Sequence, residues 1–299
     1  MTLEEILACF AFALGACIAS FLNVVIWRVP RGESIVSPPS HCPKCDAAIK
    51  WWQNIPILSW LALRGKCANC RAPISPRYIF VELLGGVLFL AVFLKVFVWD
   101  VPAQYEWVLN TPGWCLFALV VWWIWVSFMI IGSFIDFDHQ LLPDFVTIGG
   151  MILGVVFWAA NGFKFGIVEL KLVCSARGYM YLPFFESLLG LALGFGLLWL
   201  VRWLGSKAFR REAMGMGDVF LMGAVGALFG PVAVIVTLIL SSVFGSVVGV
   251  GLILLSKTRL GRFTAIPYGP YICMGCLAWM FWGPELVNWY LSLLGVKWP

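Results

Sequence analysis

Apolar positions along this chain neither alternate nor recur once per helical turn. They run on in long blocks divided by short polar stretches. A helix apolar on every side cannot rest one face on water, so each block belongs in a membrane or a wholly buried position. About 20 residues carry a helix across the hydrocarbon core. The blocks at 5–27, 78–98, 114–135, 145–161, 184–205, 217–230, 232–255 and 266–291 predict about eight transmembrane helices. Gly230 and Pro231 separate the sixth block from the seventh and predict a helical hairpin there, or one helix resting on the other. The predicted fold class is therefore an all-α polytopic membrane protein. Its expected parts are a first transmembrane helix at 1–27, a small polar domain at 28–77 and a helical bundle at 78–299.

Composition sharpens this reading. The chain has 299 residues, 62% of them hydrophobic and 12% charged. Soluble domains carry about 25% charged residues, so a soluble enzyme is excluded. Positive charge falls in a few loops: Arg28 to Arg77 holds eight basic residues, and Lys207, Arg210 and Arg211 fill a second loop. Lys257, Arg259 and Arg262 fill a third, whereas 99–113 has no Lys or Arg. The positive-inside rule then puts 28–77, 136–144, 206–216 and 256–263 in the cytoplasm and both termini outside. The net charge of +5 is explained by loops facing anionic membrane lipid and implies no nucleic-acid partner. Glu4 and Glu5 replace the basic start of a cleavable signal, so the first block is expected to be a retained helix.

The polar domain carries Cys42, Cys45, Cys67 and Cys70 as two C-x2-C pairs. That is close to the spacing of a four-cysteine zinc site. A loop this small cannot bury a core unaided, so a metal staple has a structural task. Four protein ligands leave no open position for chemistry on the metal. The competing readings are a redox pair or idle thiols. His41 adjoins a ligand. Cys9, Cys17 and Cys115 lie in apolar runs and read as buried thiols, Cys273 and Cys276 as packing residues of a span, and Cys174 as an outer residue without a partner.

Ionisable groups at membrane depth are costly and mark function. Asp218 follows Gly215, Met216 and Gly217 at the start of one apolar block; Asp136 closes another, with Asp138, His139 and Asp144 just beyond. Asp136 abuts its block and is favoured as the buried member. Asp144 follows Pro143 and suits a helix cap, while Asp138 suits solvent. Two carboxylates that meet cannot both ionise, so they hold one proton between them as an acid and a base acting on water. Topology places the 136 and 218 regions at the same membrane edge.

Several stretches together resemble the bacterial type IV prepilin peptidases. They include Ser20, Phe21, Leu22 and Asn23 through Pro30, both cysteine pairs, Asn54 to Pro56, Leu63 to Lys66 and Ile74 to Tyr78 with Glu82. Asp136 with Leu142 to Asp144, and Gly215 to Asp218, complete the likeness. The resemblance implies a membrane aspartyl protease of the inner (cytoplasmic) membrane with Asp136 and Asp218 as the catalytic pair. It implies cleavage of a short basic leader after a glycine, at the cytoplasmic face, from a prepilin or pseudopilin of type IV pilus or type II secretion systems. It also implies N-methylation of the new terminus by S-adenosylmethionine. The two aspartates stand further apart than the family pattern leads one to expect, with the surplus around 164–183.

No glycine-rich cofactor fingerprint is present, so the methyl donor's site is unassigned. Glu33, Asp46, Asn54, Arg64 and Glu82 are candidates, Glu82 with the competing reading of an ion pair to Arg77. A thiol redox carrier and a proton- or cation-coupled transporter are the alternatives from other classes.

Overall fold

The computed structural model describes residues 2–98, 112–165, 183–210, 212, 214–255 and 267–295. Their helices are α1 (Leu3–Arg28), α2 (Leu58–Ala62), α3 (Arg77–Phe97), α4 (Pro112–His139), α5 (Asp144–Phe165), α6 (Pro183–Phe209), α7 (Met216–Leu255) and α8 (Gly269–Leu293). Five stretches are long and apolar enough to cross a membrane: Leu3–Arg31, Arg77–Phe97, Cys115–His139, Phe184–Phe209 and Met216–Leu252. A shorter apolar helix covers Asp144–Ala160. The chain folds as two compact units, Met1–Ile131 and Gly132–Pro299. The loop at 256–263 and nearly all of 99–113 and 164–183, with Cys174, lie outside the described residues.

In the first unit α1 packs along α3. A Thr2–Glu5 capping box starts α1, with Glu4 and Glu5 in its first turn where the helix dipole favours acid. The crossing is made by small residues. A Cβ on Gly15 would lie 2.6 Å from the Gly85 carbonyl and 2.5 Å from Phe89 Cβ, so the two backbones meet where a side chain would stand. Asn23 Nδ2 donates to the Tyr78 carbonyl at 3.2 Å, tying the end of α1 to the start of α3.

In the second unit α5, α6 and α8 all pack on α7. The block broken by Gly230 and Pro231 is one continuous element with a kink. Gly230 adopts φ 82°, ψ −178°, a conformation open essentially to glycine alone. Pro231 has no N–H, so the Ala227 carbonyl four residues earlier loses its helical donor. The buried Ser187 hydroxyl of α6 donates to it at 2.7 Å. Trp158 Nε1 of α5 likewise donates to the Leu228 carbonyl at 2.8 Å. An orphaned carbonyl in hydrocarbon costs several kcal/mol, so these two side chains make the break tolerable. A second break, at Trp282 of α8, adjoins Pro284.

Two expectations change in detail. Helix α4 runs on to His139, so Asp136 sits in its last turn instead of a loop; Gln140, at φ 52°, ends the helix. Cys9 and Cys17 are exposed on α1, while Cys115 is buried. In a membrane span the outer face meets lipid, so an apolar run does not by itself say which thiols are enclosed.

Ser187→Ala leaves the Ala227 carbonyl unpaired and is expected to cost about 1–3 kcal/mol of stability. In a Pro231→Ala background, where residue 231 regains its N–H, the same substitution is expected to cost less. Thermal unfolding of the four proteins in detergent checks this, and equal costs in both backgrounds would contradict it.

Candidate functional site

Two aspartates are the buried carboxylates of the second unit among its described residues. Asp136 is 6% exposed and Asp218 is 8% exposed. Asp138, His139 and Asp144 are all exposed, so burial separates three acids that lie within nine residues of chain. Asp136 Oδ2 accepts the N–H of Gly269, the first residue of α8, at 2.9 Å. Asp218 lies in the first turn of α7, and its Oδ1 is buried with no hydrogen-bond partner among the described residues. The charge of Asp136 acts on Asp218, and both act on the buried Cys273, whose thiol is hydrogen-bonded to Ser133.

Close backbone approach brings these ends together. The Leu142 side chain fills the space beside three glycines. A Cβ would lie 3.2 Å from it at Gly132, 2.8 Å at Gly217 and 3.4 Å at Gly269. Those glycines belong to α4, α7 and α8, so one leucine between α4 and α5 packs against the three elements that carry the aspartates and their donor. Tyr268 Oη pairs with Ser241 Oγ at 2.7 Å, fixing the start of α8 to α7. An added Cβ at Gly269 would sit 2.7 Å from Asp136 Oδ2, so that position has no room for a side chain.

The first unit brings all four predicted cysteines together, with their sulfurs within 4.8 Å of one another. Zinc–sulfur bonds of about 2.3 Å put tetrahedral sulfurs about 3.8 Å apart, and Cys42 and Cys70 Sγ are 3.9 Å apart. The cluster is compatible with a structural metal. The two pairs are built alike. Cys42 N donates to Ala47 O and Asp46 N to Cys42 O; Cys67 N donates to Ala72 O and Arg71 N to Cys67 O. Asp46 and Arg71 take the same left-handed conformation, at φ 52° and 62°. Backbone N–H groups aim at the sulfurs: those of Cys70 and Asn69 pull Cys67 down to about 6. The Ala72 N–H works in that direction on Cys70, but burial and the other three thiols outweigh it and push Cys70 up to about 11.

Between the end of α1 and the polar domain lies a cavity of about 280 Å³. Ser20, Phe21, Arg28, Ser40, Asn54 and Pro56 are among its lining residues. Of the predicted donor-site candidates, only Asn54 reaches it; Glu33, Asp46 and Arg64 are exposed elsewhere on the domain. Glu82 is buried, 8% exposed, and Oε2 accepts the Ile57 N–H at 2.7 Å. It makes no ion pair with Arg77 or with any other described residue. Ile57 holds φ 64°, ψ −54° to present that N–H. Such a conformation costs a β-branched residue about 1–3 kcal/mol, and a hydrogen bond to a charged group returns about 1.5–3. The two nearly cancel, so the strained turn is held by its carboxylate.

Sequence reasoning missed Arg28, Gly269 and Ser241. Arg28 ends a span and looks like a membrane-edge charge, yet it is 8% exposed and donates to the carbonyls of Ser34 and Pro38 at 2.8 and 2.7 Å. Gly269 acts through its backbone, which leaves no mark in a sequence beyond the glycine itself.

Residues 13–97 match the family profile described as Bacterial Peptidase A24 N-terminal domain, and residues 123–250 match the Type IV leader peptidase family. Among similar curated proteins is the prepilin leader peptidase/N-methyltransferase of Myxococcus xanthus (strain DK1622). It is 38% identical over 293 residues, covering 96% of this chain and 76% of that one. The protein of the same name from Legionella pneumophila is 35% identical over 306 residues, covering 95% and 92%. That from Aeromonas salmonicida (strain A449) is 32% identical over 309 residues, covering 95% and 93%. No solved structure matches.

In chelator-treated protein at pH 7, brief iodoacetamide exposure is expected to label Cys67 well ahead of Cys70. A thiol at about 6 is mostly thiolate at that pH, and one at about 11 is almost wholly protonated. Peptide mapping by mass reads the order. Added zinc should then suppress labelling of all four; unchanged labelling would refute a metal at this cluster.

Proposed function

Because the chain belongs to the type IV leader peptidase family, we propose that it cleaves the short basic leader from a prepilin or pseudopilin after a glycine, with Asp136 and Asp218 activating the water. The observation that carries this is the burial of these two acids, and no other described carboxylate of their unit, at the adjoining ends of α4, α7 and α8. Asp136 Oδ2 is held in place by the N–H of Gly269, and Asp136 is the base that takes a proton from water. Asp218 Oδ1 has no donor among the described residues, and Asp218 holds the shared proton toward the scissile carbonyl. Attack gives a tetrahedral diol with no covalent adduct to the enzyme. The proton then passes to the leaving nitrogen as the peptide bond breaks.

The same chain N-methylates the new terminus. S-adenosylmethionine supplies the methyl group, and the cavity beside Arg28 suits it in chemistry: a guanidinium, an amide, two hydroxyls and the Phe21 ring line one concave space. Cys42, Cys45, Cys67 and Cys70 hold a structural zinc that organises residues 28–77 as a domain of its own, with 1–27 and 78–299 as membrane parts. The basic residues of 28–77 and 206–216 support an inner-membrane topology with the active site toward the cytoplasm.

The test is intact-mass analysis of a purified prepilin incubated with the protein, with and without S-adenosylmethionine. The leader should be lost in both conditions and one methyl group gained only with the donor. Asp136→Asn and Asp218→Asn are each expected to lower cleavage by at least about 100-fold while the protein stays folded. Gly269→Ala is expected to lower it comparably, since its Cβ would stand 2.7 Å from Asp136 Oδ2. Cleavage at the wild-type rate by either Asn variant would remove that residue from the mechanism.

A further inference from the structure

We propose that Arg28 receives the carboxylate at the amino-acid end of the methyl donor, in the cavity between α1 and the polar domain. This rests on the N-methyltransferase reading above and gives the donor a point of attachment. Arg28 is 8% exposed and lines that cavity. A guanidinium cannot give up its proton inside a protein, so a buried one has to be matched where it lies. Its partners are neutral: Nη1 donates to the Ser34 carbonyl at 2.8 Å and Nη2 to the Pro38 carbonyl at 2.7 Å. No described acid forms an ion pair with it. Glu33, a near neighbour in the chain, is exposed, and it is its backbone N–H that meets Arg28, at the carbonyl. Glu82 is taken up by the Ile57 N–H. The two carbonyls offset part of the charge and leave the remaining donors of the fork for a ligand.

The same two bonds shape the space. They pin the chain at Ser34 and Pro38, so the segment between them, with Ile35 and Val36, forms one wall. Ser20, Phe21, Val24 and Arg28 recur every three or four residues and share one face of α1, which forms another. Asn54 and Pro56 contribute from the turn beyond. Arg28 is the one charged side chain of this lining; the others are apolar or neutral and polar. Such a site selects a ligand by a single anionic group, and a carboxylate matches the guanidinium fork at two points. S-adenosylmethionine carries that carboxylate at one end and an aromatic base at the other. Ser20, Ser40 and Asn54 offer neutral oxygens suited to the ammonium beside the carboxylate, and Phe21 offers a ring suited to the base.

Binding tests this without catalysis. The full-length protein in phosphatidylcholine nanodiscs, with no prepilin present, would be titrated with S-adenosylmethionine and with its decarboxylated analogue. Wild type is expected to prefer the carboxylate-bearing molecule by at least about tenfold, the worth of one hydrogen-bonded charge contact. Arg28→Gln should bind the two alike. The ratio is taken on one protein, so it does not depend on how much of a variant is correctly folded. Arg28→Lys keeps the charge without the two-point grip and should show an intermediate preference; it decides the matter if Arg28→Gln fails to fold. A wild type with no preference, an Arg28→Gln protein that keeps it, or an Arg28→Lys protein with the full wild-type value overturns the proposal. Nanodiscs containing phosphatidylglycerol separate a lipid phosphate from the donor's carboxylate. A preference unchanged there supports the proposal, and one erased there gives Arg28 to the lipid and overturns it. A wild-type protein that cleaves a prepilin but neither binds S-adenosylmethionine nor transfers its methyl group overturns the N-methyltransferase reading itself.

Discussion

The constraint on which the rest of this structure depends is that a backbone or charged group in hydrocarbon must find a partner within the protein. It accounts for the all-helical architecture of the described residues and for the way irregularity is confined. Where α7 breaks at Gly230 and Pro231, Ser187 and Trp158 from two neighbouring helices donate to the carbonyls that the break exposes. The helices meet through small residues, because lipid offers no hydrophobic drive to press them together and close backbone contact must do it. Gly15 against Gly85, and Gly190 against Gly226, are the clearest cases.

Against that background the polar groups that are incompletely matched stand out. Asp218 Oδ1 is a buried carboxylate oxygen without a donor among the described residues. Asp136 is matched once, by a backbone N–H at the start of a helix. Each of these acids is the sort of site where substrate or water completes what the protein leaves open.

The polar domain solves a different problem. Trp51, Trp52, Ile55, Leu58 and Leu61 are exposed, so this stretch has no apolar core to order it. Its order comes from two near-identical turns whose sulfurs converge, with backbone N–H groups aimed at them. A metal bound there contributes its binding energy to folding directly.

Membrane class, the approximate spans, the cysteine set and the two aspartate motifs were determined by the sequence alone, because each depends on local composition or spacing. The block lengths answer to bilayer thickness, and C-x2-C spacing answers to the reach of two thiolates around one metal. What only the tertiary structure decided is which polar group meets which. Asp136 is buried while Asp138 and Asp144 are exposed, because α4 continues one turn further than its apolar block and turns that residue toward Gly269. Cys9 is exposed although its surroundings are apolar, since in a membrane the apolar side is also the outside. Glu82 meets Ile57 instead of Arg77 because the polar domain folds back over the start of α3, bringing together residues 25 positions apart. Contacts of that kind are made by helix ends and backbone donors, and a backbone N–H is the same at every position of a sequence until the fold aims it.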